Sequence, residues 1–178
     1  SGAKEGDIVA VTGELGAASA GLNILLKKIP LEGYKKLVDA QVKPIARVKE
    51  GRVLARRGLV EAATDITDGL ASSLWQLARE SRVKLIIEHE KIPIHPLVKK
   101  FSQKYGFNID DFTLFGGEDF ELLFTIRSKV WNRVRLALKR VGTKATPIGQ
   151  VVKGRGVFIK KDEETKLLED RGYEHFKY

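Results

Sequence analysis

Cysteine and methionine are both missing from this chain of 178 residues. The first absence excludes disulfides and thiolate metal sites, and nothing points to an oxidising compartment. The second extends to position 1, so the chain is expected to be a processed product or, preferably, a piece of a longer polypeptide: Ser1-Gly2-Ala3-Lys4-Glu5-Gly6-Asp7 runs straight into a strand. No apolar run is long enough to span a bilayer, and no basic-then-apolar start marks a signal peptide. A cytoplasmic protein without membrane contact is therefore expected. Internal repeats and low-complexity linkers are lacking too. His89, His95 and His175 show no paired ligand spacing, so each is expected to be structural or exposed. There is no Lys-Ser/Thr phosphate loop, no G-x-G-x-x-G and no nucleophile elbow.

What remains is an ordinary globular composition, 43% hydrophobic and 31% charged. The length suits one domain with a real core. Net charge is +9, from 32 Lys+Arg against 23 Asp+Glu. The basic residues are spread over helical stretches and read as solvated faces, and no aromatic-rich basic strand offers a base-stacking platform. Nucleic acid is not an expected partner.

Hydrophobic patterning predicts strands at Gly6 to Thr12, Val60 to Ala63, Val83 to Ile87 and Phe120 to Ile126, and a terminal hairpin of Pro147 to Val152 with Gly156 to Lys160 around Gly154-Arg155. Helices are predicted at Ala17 to Lys28, Leu31 to Val42, from Leu70 onward, at Leu97 to Tyr105, and from an N-cap at Ser128 to Val141. Gly51 reads as a turn, and Asn108 to Asp111 as the cap of a short helix. Gly21, inside the first helix, is expected to permit close packing. Trp75 and Trp131 lie on amphipathic helices and are expected in the core. Strands separated by helices imply an α/β (α+β) domain with a central mixed β-sheet flanked by helices.

Chemistry concentrates at two junctions. Thr64-Asp65-Ile66-Thr67-Asp68-Gly69-Leu70 stands where a strand turns into a helix. Backbone N–H groups of Gly69, Leu70 and Ala71 and a partial positive charge face a ligand there, and Asp65 and Asp68 can hold a hard cation through oxygen. The plainer alternative is that Asp68 caps the helix and Asp65 is a solvated strand end. Phe115-Gly116-Gly117-Glu118-Asp119-Phe120-Glu121 puts further acids at the start of another strand. Asp65, Asp68, Glu118 and Asp119 are expected to converge, which magnesium with a nucleotide phosphate would make tolerable. Phosphoryl transfer needs chiefly positioning and charge neutralisation, so such a site requires no covalent nucleophile. A glycosidase using Asp65 and Glu118 would want a sugar cleft that nothing here supplies.

These same residues carry a family resemblance. Gly6-Asp7-Ile8-Val9-Ala10-Val11-Thr12-Gly13 with Leu15-Gly16, Asp65-Ile66-Thr67-Asp68-Gly69-Leu70, Gly116 to Phe124, and the tail Gly172-Tyr173-Glu174-His175-Phe176 together resemble the C-terminal domain of the thiamine-monophosphate kinases, within the aminoimidazole ribonucleotide synthetase-like superfamily. The resemblance covers nearly the whole chain in order. It implies that Asp65 and Asp68 bind magnesium, that Thr67 touches ATP, and that Glu118 contacts thiamine monophosphate, with Phe176 or Tyr173 against its rings. Family members usually carry Ser at the place of Thr67, so a hydroxyl is kept. The implied reaction moves the γ-phosphoryl group of ATP to thiamine monophosphate, giving thiamine diphosphate. The family's N-terminal domain, with most of its metal-binding aspartates and its dimerising strands, is expected to be missing from residues 1–178. The full-length protein is accordingly expected to be a homodimer and the isolated chain to catalyse poorly. Other ATP-using enzymes of the superfamily and a non-catalytic nucleotide-binding module are the alternatives.

Overall fold

The strand that opens the chain lies near the middle of the sheet. In the computed structural model, which describes residues 1–56 and 59–171, β1 (Asp7–Thr12) alternates its side chains with a period of two, as a strand buried on both faces must. Val9 and Val11 enter one core and Ile8 and Ala10 another. The order continues α1 (Ala17–Leu26), α2 (Lys35–Val42), α3 (Val48–Leu54), β2 (Ala62–Asp65), α4 (Leu70–Ser81), β3 (Lys84–Glu88), α5 (Pro96–Tyr105), α6 (Asp110–Thr113), β4 (Leu122–Arg127), α7 (Trp131–Arg140), β5 (Ala145–Val152), β6 (Gly156–Lys161) and β7 (Glu164–Leu167). Among the described residues the strands form one seven-stranded sheet, β2-β4-β1-β5-β3-β6-β7. Its pairs are antiparallel except β3 with β6. The expected mixed sheet flanked by helices is therefore present.

Helix α4 buries Leu70, Leu74 and Leu77 against one face, with Leu85, Ile87 and Leu123. On the other face Leu54 of α3 and Val134 and Leu138 of α7 cover Phe124 and Ile126. A third cluster joins α1, α2 and α5 through Ile24, Leu37 and Phe101, and the Tyr34 and Phe101 rings meet edge-on at 5.3 Å. Both tryptophans pack as expected: Trp75 is half-buried and donates its indole N–H to the Leu168 carbonyl at 3.0 Å, and Trp131 lies half-buried beside α7's core face. No helix among the described residues is long and apolar enough to cross a membrane.

Several expectations are corrected. The strands at Pro147 to Val152 and Gly156 to Lys160 exist but do not form a hairpin with each other. β3 lies between them, bonded to β5 on one side and to β6 on the other. Three extended residues, Lys153-Gly154-Arg155, reach about 10 Å, enough to step across one strand, so a short glycine loop is compatible with either arrangement. The true hairpin is β6 with β7. Gly51 lies inside α3 and meets no atom within 4 Å at its Cβ position, so the helix continues through it. Gly33, at φ +79, holds Leu31–Tyr34 in a turn and delays α2 to Lys35. Ser128 caps nothing: it opens a 3-10 turn, Ser128–Val130, and α7 starts at Trp131.

The packing role of Gly21 is borne out. A Cβ there would stand 2.1 Å from the Leu37 carbonyl oxygen, which is backbone and cannot swing aside. Gly21→Ala gains about 1 kcal/mol of helix propensity but overpacks the α1–α2 contact, a penalty of about 1–3 kcal/mol. Urea denaturation of this variant is expected to show a net loss of about 1 kcal/mol; a gain would mean that the two helices separate freely.

Candidate functional site

Asp65 ends β2 with its side chain exposed. Thr67 Oγ1 donates to Asp65 Oδ2 at 2.6 Å, and Ser73 Oγ donates to the Asp65 carbonyl at 3.0 Å, so the first turn of α4 grips the strand end. Gly69 occupies the N-cap position at φ 103 and ψ 159, and no side chain caps α4. The reading of Asp68 as a simple cap is thereby removed; its carboxylate is exposed. Of the three N–H groups expected to face a ligand, that of Ala71 is already committed to the Leu114 carbonyl at 2.9 Å.

The second acidic motif lies directly on the first. Ile66 N–H donates to the Glu121 carbonyl at 2.8 Å, Phe120 N–H to the Ile66 carbonyl at 3.0 Å and Glu118 N–H to the Thr67 carbonyl at 2.7 Å. Such an approach excludes a side chain at Gly117, where a Cβ would lie 2.4 Å from the Thr67 carbonyl oxygen. To make these bonds Glu118 and Phe120 adopt left-handed conformations, φ 70 and 50. Non-glycine residues pay roughly 1–2 kcal/mol for that backbone.

The four acids nevertheless do not converge. Glu118 is exposed beside Thr67 and Asp68, but Asp119 turns away to the start of α1. It accepts from Gly16 N–H at 2.7 Å and from Ala18 N–H at 3.3 Å, supplying from a distant loop the cap that α1 lacks in its own sequence. Burial pushes its carboxyl up to about 7, against the opposing effect of these backbone donors. Among the described residues, no three of His, Cys, Asp and Glu gather as a metal-binding group. Asp65 and Asp68 do fit magnesium as oxygen donors, because that ion takes one or two carboxylates together with waters and phosphate oxygens.

Glu121, named in the sequence only as part of its motif, carries a role that periodicity did not reveal. It is 3% exposed and meets Arg47 in a two-point ion pair, Nε to Oε2 at 2.8 Å and Nη2 to Oε1 at 2.5 Å. Thr12 Oγ1 adds a 2.6 Å bond to the same carboxylate. The Glu121 bonds hold the Arg47 guanidinium protonated beyond its ordinary range. Arg47 also stands 3.8 Å from Glu50, which in turn accepts from Thr143 Oγ1. The available signals were a lone charge within Ile45-Ala46-Arg47-Val48 and an acid at the head of an apolar strand.

These groups border a cleft of about 570 Å³ that includes Lys36, Lys43, Arg47, His95 and Glu118 in its lining. His95 is structural as expected: its Nδ1 accepts from Leu97 N–H at 3.2 Å, capping α5, and burial lowers its pKa in keeping with a neutral ring. A larger cleft of about 910 Å³ between α3 and α7 is lined by none of the residues proposed from the motifs. Tyr173 and Phe176 lie outside the described residues.

Two measurements check this geometry. The folded Asp119 carboxyl binds its proton more tightly than the unfolded one, about 7 against 3.8, so the stability contributed by that proton is full below pH 3.8 and is lost as pH rises through 7. Thermal melts should show the native chain losing stability relative to Asp119→Asn across that window; parallel profiles would refute the shift. Glu118→Asn, which tolerates φ 70 better, should stabilise by about 0.5–1 kcal/mol in urea denaturation, and a loss would mean that the Glu118 side chain holds the loop.

Comparison with known proteins agrees with this architecture. Residues 4–162 match the family described as AIR synthase related protein, C-terminal domain. The thiamine-monophosphate kinase of Aquifex aeolicus is 37% identical over 177 residues, covering 98% of this chain and 53% of the relative. That of Bacillus subtilis is 35% identical over 184 residues, with 98% and 54% covered. A solved structure described as AaThiL complexed with AMPPCP and TMP superimposes with a TM-score of 0.83 at 36% identity, over 98% of this chain and 53% of that one. E. coli HypE, a hydrogenase maturation protein, shares the fold at a TM-score of 0.72 and 20% identity, over 93% of this chain and 50% of its own. The chain spans about half the length of the curated relatives it matches. Its sheet order, its paired acidic motifs and the match over 4–162 lead to one conclusion: the chain belongs to the AIR synthase related family, as a C-terminal domain of that family.

Proposed function

We propose that this chain is the C-terminal half of a cytoplasmic, homodimeric kinase that uses ATP and magnesium to convert thiamine monophosphate into thiamine diphosphate. The observation that carries this reading is the backbone clamp between Ile66-Thr67 and Glu118-Phe120-Glu121, which brings the Asp65-Thr67-Asp68 edge together with Glu118, a residue that also lines the cleft holding Lys36 and Lys43. In the reaction a phosphate oxygen of thiamine monophosphate forms a bond to the γ-phosphorus of ATP, the bond from that phosphorus to the β-bridging oxygen breaks, and ADP leaves. Such a transfer asks the protein for alignment and for positive charge around the phosphates. Lys36 and Lys43 can supply charge from the cleft wall. Arg47 is already neutralised by Glu121 and serves to hold that wall in place.

Asp65 and Asp68 would hold magnesium, which neutralises polyphosphate charge when bound. Thr67, whose hydroxyl now orients Asp65, would contact ATP. Glu118 is an exposed acceptor for the substrate's amino group or a counter-charge to its thiazolium ring. Phe176, or Tyr173, would lie against the substrate's rings, a role resting on the sequence resemblance. The chain matches about half of each relative's length, which supports a site completed by an N-terminal domain and low activity of residues 1–178 alone.

The parent polypeptide should convert thiamine monophosphate to thiamine diphosphate only with magnesium and ATP. Asp68→Asn in that parent should lower kcat roughly a hundredfold or more, the scale of losing one preorganised electrostatic contact, and residues 1–178 alone should turn over little. A folded parent that hydrolyses ATP without using thiamine monophosphate would transfer the proposal to another acceptor.

A further inference from the structure

The cleft between α3 and α7 lies on the sheet face opposite α4 and takes no part in the function proposed above. Lys49, Arg52, Arg56, Arg133 and Arg140 line it, and no acid does. All five are exposed, and none forms an ion pair with a described residue. Some cations elsewhere on this surface are neutralised locally, as in Lys35 with Asp39, Arg79 with Asp170 and Lys91 with Glu88, whereas this one concavity gathers five that are not. The local sequence offers nothing comparable. From Arg127 to Lys144 there is no Asp or Glu, and the one acid of α3, Glu50, is buried and engaged by Thr143 and Arg47. Five like charges around one concavity repel each other and destabilise the fold unless an anion relieves them.

The shape narrows the anion. A cleft of about 910 Å³ is at the scale of sites for small ligands, and it is concave, whereas a nucleic-acid duplex presents its phosphates along an extended groove. Trp131, the one aromatic residue of α7, is half-buried in the core and offers no platform to a single strand. Between the guanidinium groups the floor is apolar, including Val53 and Val141, which suits an uncharged ring body. Arginine forks bind phosphate oxygens in two-point fashion, and three of the four here can act from opposite walls, Arg52 and Arg56 from the α3 side and Arg140 from α7.

We propose that this cleft is a second ligand site, for a compact organic polyphosphate of the nucleoside triphosphate class, bound through its phosphates without a metal ion. Binding there would couple the occupant to the packing of α3 and hence to Arg47, which immediately precedes that helix.

Isothermal titration of residues 1–178 in EDTA, with ATP and separately with inorganic tripolyphosphate, tests the site apart from the metal-dependent one. Both should bind, ATP the more tightly because it alone reaches the apolar floor. Arg52→Gln with Arg140→Gln should weaken ATP binding at least tenfold. Lys100→Gln with Lys160→Gln removes equal charge from exposed positions elsewhere and should leave binding unchanged. The proposal is overturned if neither probe binds at millimolar concentration, if both double variants lose affinity equally, or if duplex DNA or phosphatidylserine vesicles bind this face while ATP and tripolyphosphate do not.

Discussion

A carboxylate that is almost wholly buried needs full electrostatic compensation, and the architecture around Glu121 is arranged to provide it. Thr12 reaches it from the end of β1 and Arg47 from the segment before α3, while its own backbone carbonyl bonds Ile66. Gly13, at φ 61, is part of the same requirement, because a Cβ there would stand 2.0 Å from Glu121 Oε1. Removing one partner of such a pair leaves an uncompensated charge, at a cost of about 3–5 kcal/mol. The knot therefore fixes where β1 ends, where β4 begins and how the cleft wall stands. The motif residues that face ligand depend on it indirectly, since Ile66 sits between Asp65 and Thr67 and is pinned by the same residue.

Sharing of labour among neighbouring acids follows from the chain direction. In the run Glu118-Asp119-Phe120-Glu121, the carboxylates point to solvent, to the start of α1 and to the half-buried Arg47 in turn. The left-handed conformations at Glu118 and Phe120 make this alternation possible within four residues. Strain in this loop is held by three backbone bonds to Ile66 and Thr67, so a surface acid is presented from a rigid support rather than from a free loop.

Local patterns in the sequence carried much of this. The apolar spacing of Leu70, Leu74 and Leu77 predicted α4, and the alternation in β1 predicted a strand. The meeting of the two acidic motifs could be suspected from their chemistry but not read, because backbone bonding between Thr67 and Glu118 leaves no periodic trace. The insertion of β3 between β5 and β6 was equally hidden. Residues Leu85 and Ile87 alternate as in any half-buried strand, and alternation says nothing about which partner lies alongside. Asp119 departs from the expected convergence for a related reason: an acid beside other acids suggests a shared ligand, yet a helix start more than a hundred positions earlier claims it. Charge counting reached +9 but, taken over the whole chain, hid that α7 and its flanks carry no acid.

The central place of β1 has a consequence for synthesis. Its two neighbours, β4 and β5, pair Ile8 with Ile126 and with Gln150, so each contact closes a loop of more than a hundred residues. Within this domain the apolar strand is synthesised before either neighbour and waits for more than a hundred further residues before it can be hydrogen-bonded on either edge. Contacts of such high sequence separation form slowly, and an unpaired hydrophobic strand is exposed to intermolecular pairing in the meantime. The nascent α1–α2 unit is the nearest structure able to form early beside it, through the close contact at Gly21.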